Sequence, residues 1–386
     1  MPGLKKVVSL EGFVFLGIFV GFFMILGRQM GLINAINTLL ETAYNLLMKT
    51  VFYIMAIAVV AGAIASLFTE FGVISLANKA LSPLMKPLYG LPGASSIAVF
   101  TTYLSDNPAV LTLADDKRFR RYFKKYQLPA LTNIGTAFGM GLIVTVFMMS
   151  LPNPNGEKFI LAAIVGNAGA VVGSIVSTRL MLRKTKEIYG SELDAEDSAD
   201  ISYDLLEYRE VRDGSTGERF MNAMLEGGSS GVKVGFDIIP GVLIICSIVM
   251  ILTNGMPETG IYTGGLNEGI GLLPVIGDKI SFIIKPLFGF TSASAISVPI
   301  TALGSAGAAI SLIPNMVNKG LVGARDVAVF TSMCMCWSGY LSTHVAMMDS
   351  LKFRNLTGSA ILSHTIGGIV GGISANFIFR IIELFL

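Results

Sequence analysis

Lys86–Val99 reads KPLYGLPGASSIAV, and Lys285–Val298 reads KPLFGFTSASAISV; eight of the fourteen positions are identical. Tyr89 and Phe288 form a like-for-like aromatic pair between the two stretches. The shared pattern KPLxGxxxASxI is rich in glycine and broken by proline. It predicts short paired helices between longer ones, once in each half of the chain. Weaker echoes follow in the same order. Lys49-x-x-Phe52 is matched by Lys233-x-x-Phe236, Tyr103-Leu104-Ser105 by Tyr340-Leu341-Ser342, and Ile134-Gly135-x-x-x-Gly139 by Ile366-Gly367-x-x-x-Gly371. The common order argues for an internal duplication. The spacing is uneven, because Val298 and Tyr340 lie much farther apart than Val99 and Tyr103, so the second copy needs an insertion there.

Working outward, the chain between and around these stretches is too apolar for water. Of its 386 residues 53% are hydrophobic and 14% charged, against about 25% charged in a soluble domain. Mean hydropathy is +0.68. Gly12–Leu26, Val51–Phe68, Ile160–Val176, Val242–Thr253 and Ile361–Ile382 are nearly free of charge. A helix needs about 20 such residues to cross the hydrocarbon core. The fold class expected is an all-α polytopic membrane protein with two inverted repeats and re-entrant or broken helices. Candidate spans are 10–28, 45–68, 95–114, 128–150, 157–181, 232–254, 293–315, 324–347 and 357–384, with 72–92 and 264–290 interfacial or re-entrant. The organisation expected is an N-terminal helix (1–44), a first repeat (45–150), a connecting helix (151–181), an acidic loop (182–229) and a second repeat (230–386). The N-terminal apolar run has no small-residue cleavage pattern and reads as a retained helix rather than a signal peptide.

Loop charge sets the orientation. Asp115–Tyr126 holds six basic residues against two acidic, and Arg179, Arg183, Lys184 and Lys186 precede the acidic loop. Basic loops favour the cytoplasm, which places the N-terminus there too. LPNPNGE (151–157) and Gly255–Gly277 hold no Lys or Arg between them, and read as exterior. The stretch 72–114 must then cross an even number of times, which favours a hairpin. Lys352 and Arg354 fall in a loop that this scheme puts outside, against the charge rule. The loop 182–229 reads as solvated chain. Net charge is +2, which gives no global pull toward nucleic acid, and the three cysteines sit in apolar segments where a disulfide scaffold is not expected.

The KPLxG pairs between longer spans resemble the nucleoside-recognition or "gate" domain family. That family includes parts of concentrative nucleoside transporters, the membrane portion of the ferrous-iron transporter, and spore maturation proteins A and B. The likeness is greatest to YjiH-type inner-membrane proteins and covers 45–150 and 230–384. It implies a bacterial inner-membrane transporter of a small polar solute, nucleoside-like or amino-acid-derived, working by alternating access. The alternative is a non-transporting scaffold or sensor of the spore-maturation kind. There is no GTPase domain to drive transport, no cofactor is expected, and a coupling ion, Na+ or H+, is left open. The lipid bilayer and the solute are the expected partners. The first helix and 157–181 lie outside both repeats and are available for a homo-oligomer.

Polar side chains inside membrane spans are costly and point to function. Asp106 in Tyr103-Leu104-Ser105-Asp106-Asn107-Pro108 heads the candidates, because Pro108 breaks a helix there and frees polar backbone. A cap near a helix end is the plain alternative. Ser342-Thr343-His344 occupies the echoed position, and Asn133 aligns with Thr365 beside His364. The two histidines suit proton or substrate binding, or a hydrogen bond between helices. Ser95 and Ser294 open half-helices whose free amides suit an anionic or carbonyl group, or are ordinary caps. The substrate site expected is therefore Ser95, Ser105, Asp106, Asn107, Asn133, Ser294, Ser342, Thr343, His344 and His364, lining one central cavity. No hydrolase, phosphate-loop or dinucleotide motif is present. His344, His364, Asp349 and Cys336 match no strong metal-ligand spacing.

Overall fold

The computed structural model describes residues 6–105, 113, 117–152, 154, 156, 158–195 and 204–385. Every regular element among them is helical. Helix α1 (Leu10–Met30) leaves Phe13, Phe15, Ile18 and Phe19 exposed, an apolar surface that is stable against lipid and not against water. Gly31, at φ 80°, turns the chain into α2 (Leu32–Asn45), which runs through a π turn, Leu46–Val51, into α3 (Phe52–Glu70). After α4 (Val73–Tyr89), α5 (Ser95–Leu104) and the short α6 (Lys117–Arg120) comes a span broken in the middle. Its halves are α7 (Ala130–Thr136) and α8 (Gly141–Ser150), and α9 (Ile160–Tyr189) follows.

The same order then returns. α10 (Thr216–Gly241) passes through a π turn, Val242–Cys246, into α11 (Ser247–Thr253). Short α12 (Leu272–Lys279) and α13 (Ser281–Phe288) precede a hairpin of α14 (Ser297–Ala302) and α15 (Ala306–Asn318). A second broken span, α16 (Ala324–Cys336) and α17 (Tyr340–Ser350), leads into α18 (Thr357–Glu383). Order alone groups α9 with the first copy, as α18 ends the second, whereas the sequence reading leaves 151–181 between the copies.

The duplicated motif is a helix stop. Gly90 and Gly289 both take left-handed φ, 75° and 68°. Their N–H groups donate to the Lys86 and Lys285 carbonyls, each at 2.9 Å. A left-handed residue past the last turn satisfies a carbonyl the helix leaves open, and glycine does so without strain. The ASxI half then starts the next element at a sharp angle, 77° in the second copy.

Among the described residues, six helical segments are long and apolar enough to cross a bilayer. The α16–α17 segment, read as a span over 324–347, adds a further crossing, with Arg325 and Asp326 at its start. Asp326 is buried and satisfied: its carboxylate accepts from the Thr291 N–H at 2.9 Å, the Thr291 hydroxyl at 2.6 Å and the Gly323 N–H at 2.9 Å. Each copy thus crosses through its π-bent helix, its broken span and its long last helix. That number is odd, so the second copy starts from the other face and is inverted, an arrangement that recurs among transporters.

Three details differ from the sequence reading. First, 293–315 is not a clean span, since α14 and α15 fold back through Leu303–Ser305; of 95–114, α5 covers Ser95–Leu104, and most of the rest lies outside the described residues. Second, Lys352 and Arg354 change sides. Phe353 packs edge-on against Tyr189 with 5.5 Å between ring centroids, and Lys125 Nζ lies 5.5 Å over the same Tyr189 ring. Both basic residues therefore share a face with Lys125, because a hairpin in place of a span alters the number of crossings before them. Third, only the KPLxG match pairs equivalent elements. Tyr103 lies on hairpin arm α5 and Tyr340 in half-span α17; Ile134 lies in α7 and Ile366 in α18; Lys49 lies in a π turn and Lys233 well ahead of one. The insertion those echoes require is not needed.

Two bodies pack from these elements. In one, α3 and α10 touch backbone to backbone: a Cβ on Gly62 would fall 2.5 Å from the Gly227 carbonyl oxygen. In the other, α9 and α18 do the same: a Cβ on Gly173 would fall 2.5 Å from the Gly367 oxygen. Small residues permit this approach, which favours helix association in lipid. The broken spans and hairpins pack around α9 and α18. Glu70, Tyr189 and the 204–219 segment mark one face of the molecule, here the basic face. Leu32, Thr253 and the 254–271 loop mark the opposite face, where Asn34 Nδ2 donates to the Tyr262 carbonyl at 3.1 Å.

Candidate functional site

Two clefts open along the boundary between the bodies. On the opposite face a cavity of about 580 Å³ lies between the α2–α3 bend and the second hairpin, with Asn45, Lys49, Ser150, Asn267, Asn315 and Asn318 on its wall. On the basic face a cavity of about 550 Å³ lies between α3, α10 and the first hairpin, with Ser66, Asn78, Thr101, Ser105 and Ser230 on its wall and Arg209 over it. Tyr53 floors the first cleft and Gly62 the second; at 1.5 Å per residue along α3 they are about 14 Å apart. Tyr53 packs edge-on against Phe147, 6.2 Å between ring centroids, and both rings line the first cleft.

The first hairpin arm, α5, faces a break. Met140 and Gly339 hold φ 54° and 58° where the second half of each broken span begins. Left-handed methionine is strained, and such strain persists where surrounding packing imposes it. That packing is visible: Tyr103 of α5 lies so close to Gly141 that a Cβ there would strike its ring. The Tyr103 hydroxyl is 3.2 Å from the Thr145 hydroxyl, to which Asn167 Nδ2 also donates at 2.8 Å.

The candidate residues do not gather in one cavity among the described residues. Asn133, His344 and His364 do come together, in a closed cluster that also holds Ser177. Asn133 Nδ2 donates to Ser177 Oγ at 2.9 Å and to the Ala360 carbonyl at 3.0 Å. Ser177 Oγ lies 3.0 Å from His364 Nδ1, and His364 Nε2 lies 2.5 Å from the Cys336 carbonyl oxygen. A carbonyl only accepts, so His364 carries its proton on Nε2 and takes the serine proton's hydrogen bond on Nδ1. His344 Nδ1 faces the Tyr340 carbonyl at 2.8 Å, which puts its proton on Nδ1. The lone pair on His344 Nε2 and Asn133 Oδ1 are buried without a partner. The two imidazoles lie 4.7 Å apart. Chemically, the cluster ties α7, α9, α17 and α18 to the end of α16 and leaves two buried acceptors.

The other candidates lie elsewhere. Ser105 is on the basic-face cleft, and its hydroxyl donates to the Thr101 carbonyl at 2.6 Å. Ser95 is buried and donates to the Pro92 carbonyl at 2.7 Å. Ser294 is half-buried at the mouth of the second hairpin. Thr343 donates to the Gly339 carbonyl at 3.1 Å, beside the break. Asp106, Asn107 and the Ser342 side chain lie outside the described residues. No group of three metal-ligating side chains occurs among the described residues: Asp349 turns out toward Arg354 at 3.9 Å, away from the histidines.

Sequence reasoning passed over the charges that frame the clefts. Glu70, at the end of α3, accepts from Arg219 Nε at 2.7 Å and pairs with Arg212 at 3.0 Å. Arg209 donates to the Glu70 carbonyl at 2.6 Å. The 204–212 strap is also tied to the hairpin body, where the Tyr122 hydroxyl donates to Asp204 at 2.5 Å. That bond, with the Leu206 N–H, holds the Asp204 carboxyl below its ordinary range. On the opposite face, burial pushes the Glu268 carboxyl up, but the Thr263 hydroxyl and the Thr263 and Gly264 N–H groups outweigh it and leave the group below its ordinary range. The available signal was a lone Lys49 in an apolar run and Asn315 with Asn318 on one helix face.

No protein-family model matches this chain, and no curated protein matches it in sequence. Among solved structures it is similar to the concentrative nucleoside transporter CNTnw. A CNTnw variant in an outward-facing state matches with a TM-score of 0.53 and 12% identity over 95% of this chain and 87% of that one. CNTnw in an inward-facing, substrate-bound state gives 0.52 and 12% over 95% and 87%. A variant in an intermediate state gives 0.53 and 14% over 83% and 75%. At this identity the likeness is one of fold.

Proposed function

We propose that this chain is a multi-pass transporter that moves a small polar solute by alternating access. The observation that carries the reading is the pair of clefts. They lie on the same boundary between two bodies, open to opposite faces, and have their floors about 14 Å apart along α3. Movement of the hairpin body against the α3–α10 seam would close one cleft and open the other without a continuous pore. Inverted halves make the two end states nearly equal in packing, which such a cycle requires. The CNTnw fold supports this reading, because that protein has been captured facing outward, facing inward and in between.

The finer terms belong to the same proposal. The basic face is cytoplasmic, with the N-terminus on that side, because Lys125, Lys352, Arg354 and the Arg179–Lys186 run share it. A bacterial inner membrane, a gate-type family of the YjiH kind and a nucleoside-like or amino-acid-derived solute are consistent with the repeated KPLxG unit. Ser105, at the end of α5, belongs to the substrate site in this scheme, and Asp106 and Asn107 are assigned to it from the sequence. Thr343 and His344 stand beside the break at Gly339, Asn133 and His364 join them from α7 and α18, and Na+ or H+ is the coupling ion. Purified protein in proteoliposomes tests the function. Radiolabelled nucleosides, amino-acid derivatives and dipeptides should include at least one that accumulates above protein-free vesicles. Uptake at the protein-free rate for every compound, with the protein shown to be folded, would instead favour a scaffold or sensor.

A further inference from the structure

The opposite-face cleft carries a charge that the fold does not explain. Lys49 is exposed on the π turn that bends the first copy's long helix, and it lines the cleft. It has no hydrogen-bond or ion-pair partner among the described residues. No aspartate or glutamate stands among the residues that line this cleft, whose other polar groups are amides and hydroxyls. The inverted twin supplies the comparison. Its π turn, Val242–Cys246, reads VLIIC and packs against the first one with no charge at all. The bend and its packing are therefore made without a cation.

Position puts the charge at the rim of the cleft. Counting 1.5 Å per residue from Glu70, Lys49 stands about 31 Å up the helix, close to the far edge of a hydrocarbon core about 30 Å thick. An extra residue in a helix, as a π turn provides, often marks a functional position. Asn45 stands one turn before Lys49, and Asn318 is exposed on the hairpin arm across the cleft. Asn315 is already engaged, its Nδ2 donating to Asn267 Oδ1 at 2.6 Å.

We infer that this cleft admits a solute through a carboxylate, which Lys49 pairs with and the amides of Asn45 and Asn318 orient. A single ammonium with neutral donors fits one negative charge. A phosphate dianion would be left half-compensated, and a cation would be repelled. The inference rests on the transporter reading for its purpose, and its test separates the two.

The probes are N-acetyl amino acids and their amides, pairs that differ only by the carboxylate. Thermal unfolding of the purified protein should rise with an acid and not with its amide, since only a ligand held by the folded state stabilises it. Lys49→Gln should abolish the difference, and Lys49→Arg should retain it. Asn318→Ala, on an exposed position, is the second variant and should weaken acid binding several-fold. In proteoliposomes, uptake of an acid at concentrations below saturation should fall about tenfold or more in Lys49→Gln. Acids that bind no better than their amides, or that bind equally to Lys49→Gln, overturn the carboxylate inference. Acid binding lost in Lys49→Gln but with no uptake of any compound would support the site and sink the transporter reading. Uptake confined to uncharged solutes would do the reverse.

Discussion

His344 and His364 are the only histidines in the chain, so their protonation is open to direct observation. The acceptors around them fix different tautomers: Nε2–H for His364, which faces the Cys336 carbonyl, and Nδ1–H for His344, which faces the Tyr340 carbonyl. Nitrogen NMR on histidine-labelled protein should show two neutral rings of opposite tautomer at neutral pH. Two rings of the same tautomer would mean that the hydrogen-bond chain from Asn133 through Ser177 is not as described. Residue-scale packing makes a second, mechanical prediction. Valine at Gly62 would drive a Cβ into the Gly227 carbonyl oxygen, and overpacking of this kind costs about 1–3 kcal/mol. Gly62→Val should lower the unfolding temperature in detergent. Gly17→Val, on α1 where a Cβ meets nothing within 4 Å, should leave it unchanged.

At the scale of elements, the sequence showed what depends on local backbone chemistry. KPLxG was legible because a left-handed glycine after a lysine carbonyl is a local event that leaves the same residues in both copies. The long apolar helices were legible from composition. The broken span α16–α17 was recognised as apolar, but its register to the first copy was not. The echoes at Tyr340 and Ile366 arose because apolar helices draw on few residue types, so short matches between unlike elements are common. Ser177, which joins Asn133 to His364, and Lys49, which faces a cleft, depend on which side of a helix meets which neighbour, and no local signal carries that. The loops were the least legible. Glu268 illustrates this, as its partners Thr263 and Gly264 fold back onto it in a turn around an acid that sequence gives no reason to bury. Its folded-state pKa lies below the unfolded one, so its ionised form stabilises the fold. That contribution is complete above the ordinary carboxylate range and is lost as pH falls through that range and below it. Glu268→Gln should therefore unfold at a lower temperature than the parent near neutral pH, and the gap should shrink as the pH approaches about 3. A gap that stays constant or widens on acidification would count against the hydrogen-bonded carboxylate.

The whole molecule poses a mechanical question, because two clefts on one boundary suit either alternating access or a static pair of vestibules. The mouth of the opposite-face cleft offers a way to decide. Lys319, at the end of the second hairpin, donates to Asn254 Oδ1, at the end of α11, at 3.1 Å. One residue belongs to each body, so a covalent tie between them holds the bodies together on this face. The native cysteines Cys246, Cys334 and Cys336 are buried and should not compete for reagent. Asn254→Cys with Lys319→Cys, joined by a short reducible bis-thiol linker, should fix the opposite-face cleft. If the bodies must move against one another, linked protein loses uptake, reduction restores it, and each single variant treated with the same reagent keeps it. Solute that passes through a gap between fixed bodies would continue to flow when the tie is made. Equal uptake before and after linking, with the link confirmed by mass, would thus remove alternating access while leaving the fold and the clefts as described.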